Sequence, residues 1–495
     1  MLQQVEFLGG KDLGGGVVTF PNFFALQPNQ SPNAIDIKFG IGGTVEKRLG
    51  TSTLNAVALE GTAGWGTFDL GASQLRWLVV SAGTGIYASS NRGLTFVSVA
   101  SSRTQNYQYF ERSRSYLIAT SEARDTVVYW AGSVNTTVSV LAAGSAPAAK
   151  HSIAYQGFLF LMNTVDRNRG MFYSAEPDIL TDPWDSSFDL PSSFDDEIIG
   201  AIILNRKLYV SMRYKLFRVS FIGGNPDFGY QDVKDWGWIP GTVKKITLPN
   251  TGEVIIALDW NRNLRVFDGS EDQIISDVFK DSNGESQVYM KSININALDR
   301  CRAETDSNEL VYKLLIPNNT ANYPSHAICF NYRINALYPY NYSNAGGFMG
   351  FRMAQSSNSQ ILVGIDSSGF VHAIDSGNVD RGTVAVNEFY DSPLYFSKNP
   401  QTAFKTQKIA LYFSPTSSGD LRFQDRSDLS NTFSGVRSII SFTNTGNQLQ
   451  KFSVVDVPIT QNVQQFRISN SGSTANPWKL NRIDFLGLTL GVGKA

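Results

Sequence analysis

The chain is poor in the residues on which most chemistry is built. Its 495 residues include two cysteines and three histidines. So few cysteines exclude a disulfide framework. Cys301 and Cys329 are expected on neighbouring strands, as buried free thiols in preference to a disulfide. His151, His326 and His372 fall in different strands, and no pair has metal-ligand spacing, so each reads as a packed or rim residue and no metal is expected. An excess of one charge is also missing. Lys and Arg total 42 against 43 Asp and Glu, a net charge of −1, which removes the bulk electrostatic signature of a nucleic-acid or membrane binder. No apolar run reaches transmembrane length. Residues 1–20 show no basic start followed by an apolar core, so the expectation is a soluble protein made in a cytoplasm. The sequons at Asn135, Asn318 and Asn341 are then expected to carry no sugar. Helical periodicity is nearly absent, as are the G-x-S-x-G elbow and the P-loop.

What the chain does have is a repeat. A strand, a short polar turn and a second strand recur about seven times at a spacing of roughly 45–55 residues. The units are 74–81 with 85–89, 115–120 with 126–131, 157–163 with 170–174, 207–212 with 216–220, 253–259 with 263–268, 309–317 with 325–332, and 360–366 with 370–375. Two of them align at both ends, Asp259 to Asp268 with Asp366 to Asp375. Further strand-like pieces at 151–155, 198–204, 243–248 and 348–353 precede several units. Three or four short strands per period make one propeller blade, which must stack on its neighbours to cover both faces. The fold expected is all-β, an approximately seven-bladed β-propeller. Hairpins strung through successive sandwiches are the alternative.

Residues 61–384 are assigned to the propeller and 1–60 to an N-terminal strap, with glycines at 9–10 and 14–16 and an extended stretch through 20–32. Residues 385–495 change character: strands are expected at 408–413, 438–443, 452–457, 465–468 and 483–488, which reads as a C-terminal β-sandwich. The alternative is that part of this segment completes the first blade and closes the ring.

Several constellations invite a chemical reading. Ser89, Asn91, Gly93, Thr95 and Phe96 fit the Asp-box of sialidase-like propellers, S-x-[DN]-x-G-x-T-[WF], in which the Asn side chain bonds its own turn, the Gly takes a positive φ and the aromatic anchors the hairpin. The stretch 176–197 holds Glu176, Asp178, Asp182, Asp185, Asp189, Asp195, Asp196 and Glu197. Paired carboxylates could serve glycoside hydrolysis or Ca²⁺ binding. The stretch lacks EF-hand spacing and contains Pro177, Pro183 and Pro191, so it reads as a solvated loop between blades. Gly83 to Ala88 looks like half a dinucleotide fingerprint but joins two strands, so it fails the motif's own test. The basic pairs Lys47–Arg48, Arg112/Arg114 and Lys244–Lys245 form no stripe interleaved with aromatics.

The stretch from Pro32 to Thr51 contains Gly43, Lys47, Arg48, Gly50 and Thr51 in the pattern G-x-[LV]-x-K-R-x-G-T. It resembles the opening of bacteriophage tail-hub and nozzle proteins, where such a stretch is followed by propeller blades. Tyr173 to Asp178 with Trp184, and Asn387 to Phe396 with Lys405 and Lys408 leading to Trp478 to Asp484, are similar to later segments of that group. The large insertions between blades found in long nozzle proteins are missing here. The resemblance implies a virion component that is no enzyme and needs no cofactor. It would form a ring, usually of six copies, below portal and adaptor. It would continue the DNA channel with non-specific contacts to passing DNA, help retain the packaged genome, and anchor fibres or a needle, without a membrane partner. The group has no catalytic residues to carry over. A sialidase-like carbohydrate-binding or hydrolytic propeller and a WD-like interaction scaffold are the other classes the pattern admits.

Overall fold

The blade strands read as nearly continuous apolar runs because both of their faces are buried. In Phe158–Thr164, Leu159 and Leu161 join a cluster with Ile118 of the preceding sheet, while Phe160 and Met162 join Leu208 and Val210 of the following one. The period-2 alternation of a strand thus sends successive side chains into two different inter-sheet cores.

The computed structural model describes residues 31–40, 43–59, 67–72, 75–104, 108–133, 136–141, 145–175, 179–181, 184–191, 196–223, 227–279, 288–343, 347–355, 360–392, 395–396, 404–405, 408–414, 419–427, 432–436, 438–442, 450–455, 460–461, 463–470, 478–486 and 489–490. The expected extended stretch at 20–32 lies outside them except for its last two positions, as do the glycines at 9–10 and 14–16.

Seven four-stranded antiparallel sheets follow one another. Blade 1 comprises Thr67–Ala72, Leu75–Ala82, Gly85–Ser89 and Val97–Ala100. Blade 2 comprises Gln108–Ser113, Tyr116–Ser121, Val128–Trp130 and Ser139–Val140, and blade 3 Ala149–Tyr155, Phe158–Thr164, Gly170–Ala175 and Ser186–Asp189. Blade 4 comprises Ile198–Leu204, Lys207–Met212, Leu216–Phe221 and Phe228–Lys234, and blade 5 Lys244–Leu248, Gly252–Leu258, Leu264–Phe267 and Asp272–Ile274. Blade 6 comprises Arg302–Asp306, Val311–Ile316, His326–Asn331 and Ala336–Asn341. Blade 7 takes Gly350–Gln355, Gln360–Ile365 and Val371–Ile374 in chain order, and its fourth strand is Thr51–Thr53 from the N-terminal region. The first strand of blade 7 lies against the first two strands of blade 1, so the sheets return to their start and form a β-propeller. The closing strand therefore comes from the N-terminal side, and the alternative in which the C-terminal segment completes the first blade is corrected. The physical reason is the reach of Thr51–Thr53, which enters blade 7 directly from the strap hairpin.

Most of the remaining strands form two larger sheets. One runs Ala34–Ile35, Phe389–Asp391, Val463–Asn470, Gly419–Ser427, Ser438–Phe442. The other runs Ile37–Gly40, Thr44–Lys47, Lys479–Leu486, Lys408–Phe413, Gln450–Val455. The strap thus contributes strands to both sheets of the C-terminal module. Gly419–Ser427 is a strand the sequence pattern passed over. This module seats on blade 6. Asp36 N–H donates to Pro339 O at 3.2 Å, and the ring of Phe39 lies 5.7 Å from Tyr338 and 6.3 Å from Tyr390. Pro339 is tolerated because its strand is the outer edge of the blade, where no blade neighbour needs its missing N–H. One apolar cluster runs without interruption from blade 5 through blade 6 into Phe413, Phe466 and Trp478.

Candidate functional site

The residues of the K-R-x-G-T stretch meet at the joint between ring and C-terminal module. The hairpin Ile37–Gly40 and Thr44–Lys47 sets Ile37 opposite Lys47, which leaves Asp36 facing Arg48. Arg48 N–H donates to Asp36 O at 2.9 Å. Asp36 holds a left-handed φ of 57°, and its carboxylate meets the guanidinium. Arg48 Nε donates to Asp36 Oδ1 at 2.7 Å, Nη1 and Nη2 to Asp380 at 2.9 and 2.7 Å, Nη1 to Leu49 O at 2.9 Å and Nη2 to Asn341 O at 2.8 Å. The guanidinium also stands 4.5 Å over the Tyr342 ring. One buried side chain therefore ties together the strap, the end of blade 6 and the segment that follows blade 7. Burial alone would lower the Arg48 pKa, but Asp36 and Asp380 hold it well above its usual value. Burial raises the Asp36 pKa despite the neighbouring guanidinium.

Lys47 and Glu388 form a second buried pair, 3.7 Å apart and each with a side chain 1 % exposed. Glu388 Oε1 accepts from Trp478 Nε1 at 3.1 Å, and Lys47 N–H donates to Trp478 O at 3.2 Å. Burial pushes the Glu388 carboxyl up to about 7, against the pull of Lys47 and Trp478. Burial likewise lowers the Lys47 ammonium. Gly50 is required by close approach, since a Cβ there would stand 2.0 Å from Val379 O. Thr51 Oγ1 accepts Arg381 N–H at 3.0 Å and begins the closing strand.

Beside this joint, Asp306, Glu309 and Asp375 bring carboxylate oxygens within 4.8 Å of one another, a spacing compatible with a metal ion. Ammonium groups already occupy that role. Lys313 Nζ hydrogen-bonds Asp375 and lies 3.5 Å from Asp306 Oδ2, and Lys38 Nζ lies 2.5 Å from Glu309 Oε1. Burial alone would lower the Lys313 pKa, and Asp375 and Asp306 raise it instead.

The other sequence candidates take structural positions. In the Asp-box, Asn91 Oδ1 accepts Thr95 N–H at 3.0 Å, Ser89 Oγ accepts Gly93 N–H at 2.8 Å, and Gly93 has φ 95°. Gly83 to Ala88 is the hairpin between the second and third strands of blade 1. In the acidic stretch, Glu176, Asp178, Asp182 and Asp195 lie outside the described residues. The reading of the whole stretch as a solvated loop is corrected, because Ser186–Asp189 is the outer strand of blade 3 and Asp196 is fully buried. Asp196 Oδ1 accepts the backbone N–H groups of Glu197 and Arg213, which is the partner a buried carboxylate needs. Glu197 joins Lys150 and Arg124, at 3.4 and 3.2 Å.

His151 meets Tyr109 edge to face with ring centroids 4.5 Å apart, and His326 hydrogen-bonds Ser325 Oγ at 2.9 Å. His372 bridges Thr53 Oγ1 at 3.2 Å and Asp366 Oδ2 at 3.0 Å. The Thr–His–Asp order is that of a hydrolytic triad, but the aligned position six residues after Asp259 is Arg265, whose Nε donates to Asp259 at 2.6 Å. Both pairs tie down the equivalent hairpin, one in blade 5 and the other in blade 7. Cys301 and Cys329 are free and buried, but the expectation of neighbouring strands is corrected: Cys301 caps a short helical turn just before Arg302–Asp306, and Val311–Ile316 separates that strand from the one that carries Cys329. Lys47 and Arg48 are interior, whereas Lys244 and Lys245 pair with Glu304 at 3.1 Å and Glu253 at 2.9 Å on the ring. Arg112 Nε donates to Arg114 O at 3.1 Å on an exposed turn. Asp380 went unnoticed in the sequence; a lone carboxylate beside Val379 is the only local signal it offers.

No family model matches this chain, and no curated protein matches it. Solved structures are similar to it at low identity. The extracellular domain of a putative hybrid two-component system from B. thetaiotaomicron superposes with a TM-score of 0.41 and 11 % identity over 84 % of this chain and 49 % of that one, so the chain spans about half its length. The WD40 domain of Neurospora crassa Pan2 gives 0.39 and 9 % over 67 % of this chain and 96 % of that one. An ancestral GH74 enzyme gives 0.41 and 11 % over 72 % of this chain and 53 % of that one. Among the described residues, no helix is long and apolar enough to cross a membrane.

Proposed function

We propose that this chain is a structural protein of a bacteriophage tail, a subunit of a hub or nozzle ring below portal and adaptor. In this reading six copies surround the DNA path, help hold the packaged genome and present side surfaces to fibres or a needle. The observation that supports it is the convergence at the joint: Lys47, Arg48, Gly50 and Thr51, four residues that carry the resemblance to tail-hub proteins, all act in one buried fastening of strap, ring and C-terminal module. An interface closed by buried ion pairs and a shared apolar core resists relative domain motion, as a rigid ring subunit requires. Symmetric closure would then use heterologous contacts between copies. The test is to mix the purified chain with its portal and adaptor and image the product by negative stain. Incorporation as a ring below the adaptor supports the reading, including for a chain that is monomeric alone. A chain that never enters such a particle overturns it.

A carbohydrate-directed propeller is the second reading, favoured by the formed Asp-box turn at Ser89 to Phe96. Saturable binding on a glycan array, together with failure to join the tail particle, would replace the first reading with this one.

A further inference from the structure

A cleft of about 420 Å³ opens between ring and C-terminal module, a size suited to a small-molecule ligand. Its walls carry four cations, Lys38, Lys47, Arg48 and Lys479. Three of them have carboxylate partners at hydrogen-bond distance: Lys38 at 2.5 Å from Glu309, Lys479 at 2.7 Å from Glu46, and Arg48 at 2.7 Å from both Asp36 and Asp380. Lys47 differs. Its ammonium nitrogen is fully buried and, among the described residues, donates no hydrogen bond; its ion-pair partner Glu388 Oε2 is 3.7 Å away and itself receives none. A buried ammonium without a hydrogen-bond acceptor is costly, so this position favours an incoming anion. Leu49, Tyr340 and Trp478 supply apolar surface beside it. Asp375 and Glu309, which also line the cleft, are both already paired with lysines.

We propose that this cleft is a binding site for a carboxylate ligand whose oxygen accepts a hydrogen bond from Lys47 Nζ. The inference stands on the cleft and its unsatisfied lysine and does not rest on the tail reading. A carboxylate fits better than a phosphate dianion, because the same walls carry three acidic side chains that would repel a higher charge. The carboxylate could belong to a free small acid or to an acidic side chain of a neighbouring protein; the chemistry at Lys47 is the same.

Calorimetric titration of the full chain with succinate and with a terminally blocked Ala-Glu-Ala peptide separates these sources. Saturable binding of either probe is expected, and the tighter probe identifies the source. Lys47→Met should weaken it about 10-fold or more, the share of one charge-assisted hydrogen bond. Glu388→Gln keeps an acceptor for Trp478 and removes the competing negative charge, so it should bind more tightly, and it decides the matter if the Lys47 variant does not fold. No saturable binding of either probe, or binding unchanged in Glu388→Gln and in any folded Lys47→Met protein, overturns the proposal.

Discussion

Replacing Arg48 by Met removes a guanidinium that donates five hydrogen bonds and leaves the Asp36 and Asp380 carboxylates buried without their counter-charge. Each stranded carboxylate has two options. It can remain ionised in the interior, or it can take up a proton. The second option sets a ceiling, because protonating a carboxyl at pH 7 against an ordinary pKa near 4 costs about 4 kcal/mol. The expected destabilisation of Arg48→Met is therefore about 4 kcal/mol if one carboxylate bears the loss and about 8 kcal/mol if both do. Against a typical total of about 5–15 kcal/mol, that is enough to separate the C-terminal module from blade 6 or to prevent folding.

The pH dependence carries the sharper test. In the variant the carboxyl pKa values rise, so the folded state binds protons that the unfolded chain releases. A raised carboxyl pKa gives stability that is present at low pH and lost as pH rises, so the variant's deficit should shrink on going from pH 7 to pH 5, by about 1.4 kcal/mol per pH unit for each carboxylate. Urea unfolding followed by circular dichroism at both pH values measures this. The triple variant Arg48→Met, Asp36→Asn, Asp380→Asn should recover most of the loss, since no buried charge remains. An Arg48→Met protein within about 1 kcal/mol of the parent, or a deficit that does not change with pH, would refute the reasoning.

Glu388→Gln should remove a pH-dependent component of stability: with its carboxyl pushed up to about 7 by burial, the parent loses about 3 kcal/mol relative to the variant as pH rises from about 4.5 to 7. Unfolding curves for the two proteins that stay parallel across that window would contradict it. Asn55→Ala should loosen the ring closure by about 2 kcal/mol, because Asn55 Oδ1 accepts Val371 N–H at 2.7 Å and its Nδ2 donates to Val57 O at 2.7 Å. Hydrogen exchange at Thr51–Thr53 should rise selectively in that variant, and a uniform rise would point to a different role. Cys301 and Cys329 are free and buried, and burial raises both thiol pKa values, so neither should react with a thiol reagent until the chain unfolds. Rapid labelling of either in the native protein would show that blade 6 opens.

The blades were legible because each unit is a local hairpin whose turn chemistry and apolar run lie within a few dozen residues. The pairs Leu75–Ala82 with Gly85–Ser89 and Gly252–Leu258 with Leu264–Phe267 sit where the pattern put them. The Asp-box turn was legible for the same reason, since Ser89, Asn91 and Gly93 bond one another. Glu388 stood within a quoted stretch, but its partner Lys47 lies 341 positions away, 388 − 47, and no local signal links them. Asp380 and Arg48 are separated by 332 positions.

The sequence by itself determined the strand-rich repeat, the stacking of small sheets and the turns within them, because those depend on side chains close together along the chain. Only the tertiary structure decided which strand closes the ring, that the strap builds both sheets of the C-terminal module, and that the basic pair Lys47–Arg48 is an interior fastening of the molecule. Those outcomes turn on which distant carboxylates share a desolvated space with Lys47 and Arg48, and a buried charge is settled by the partners that folding brings to it.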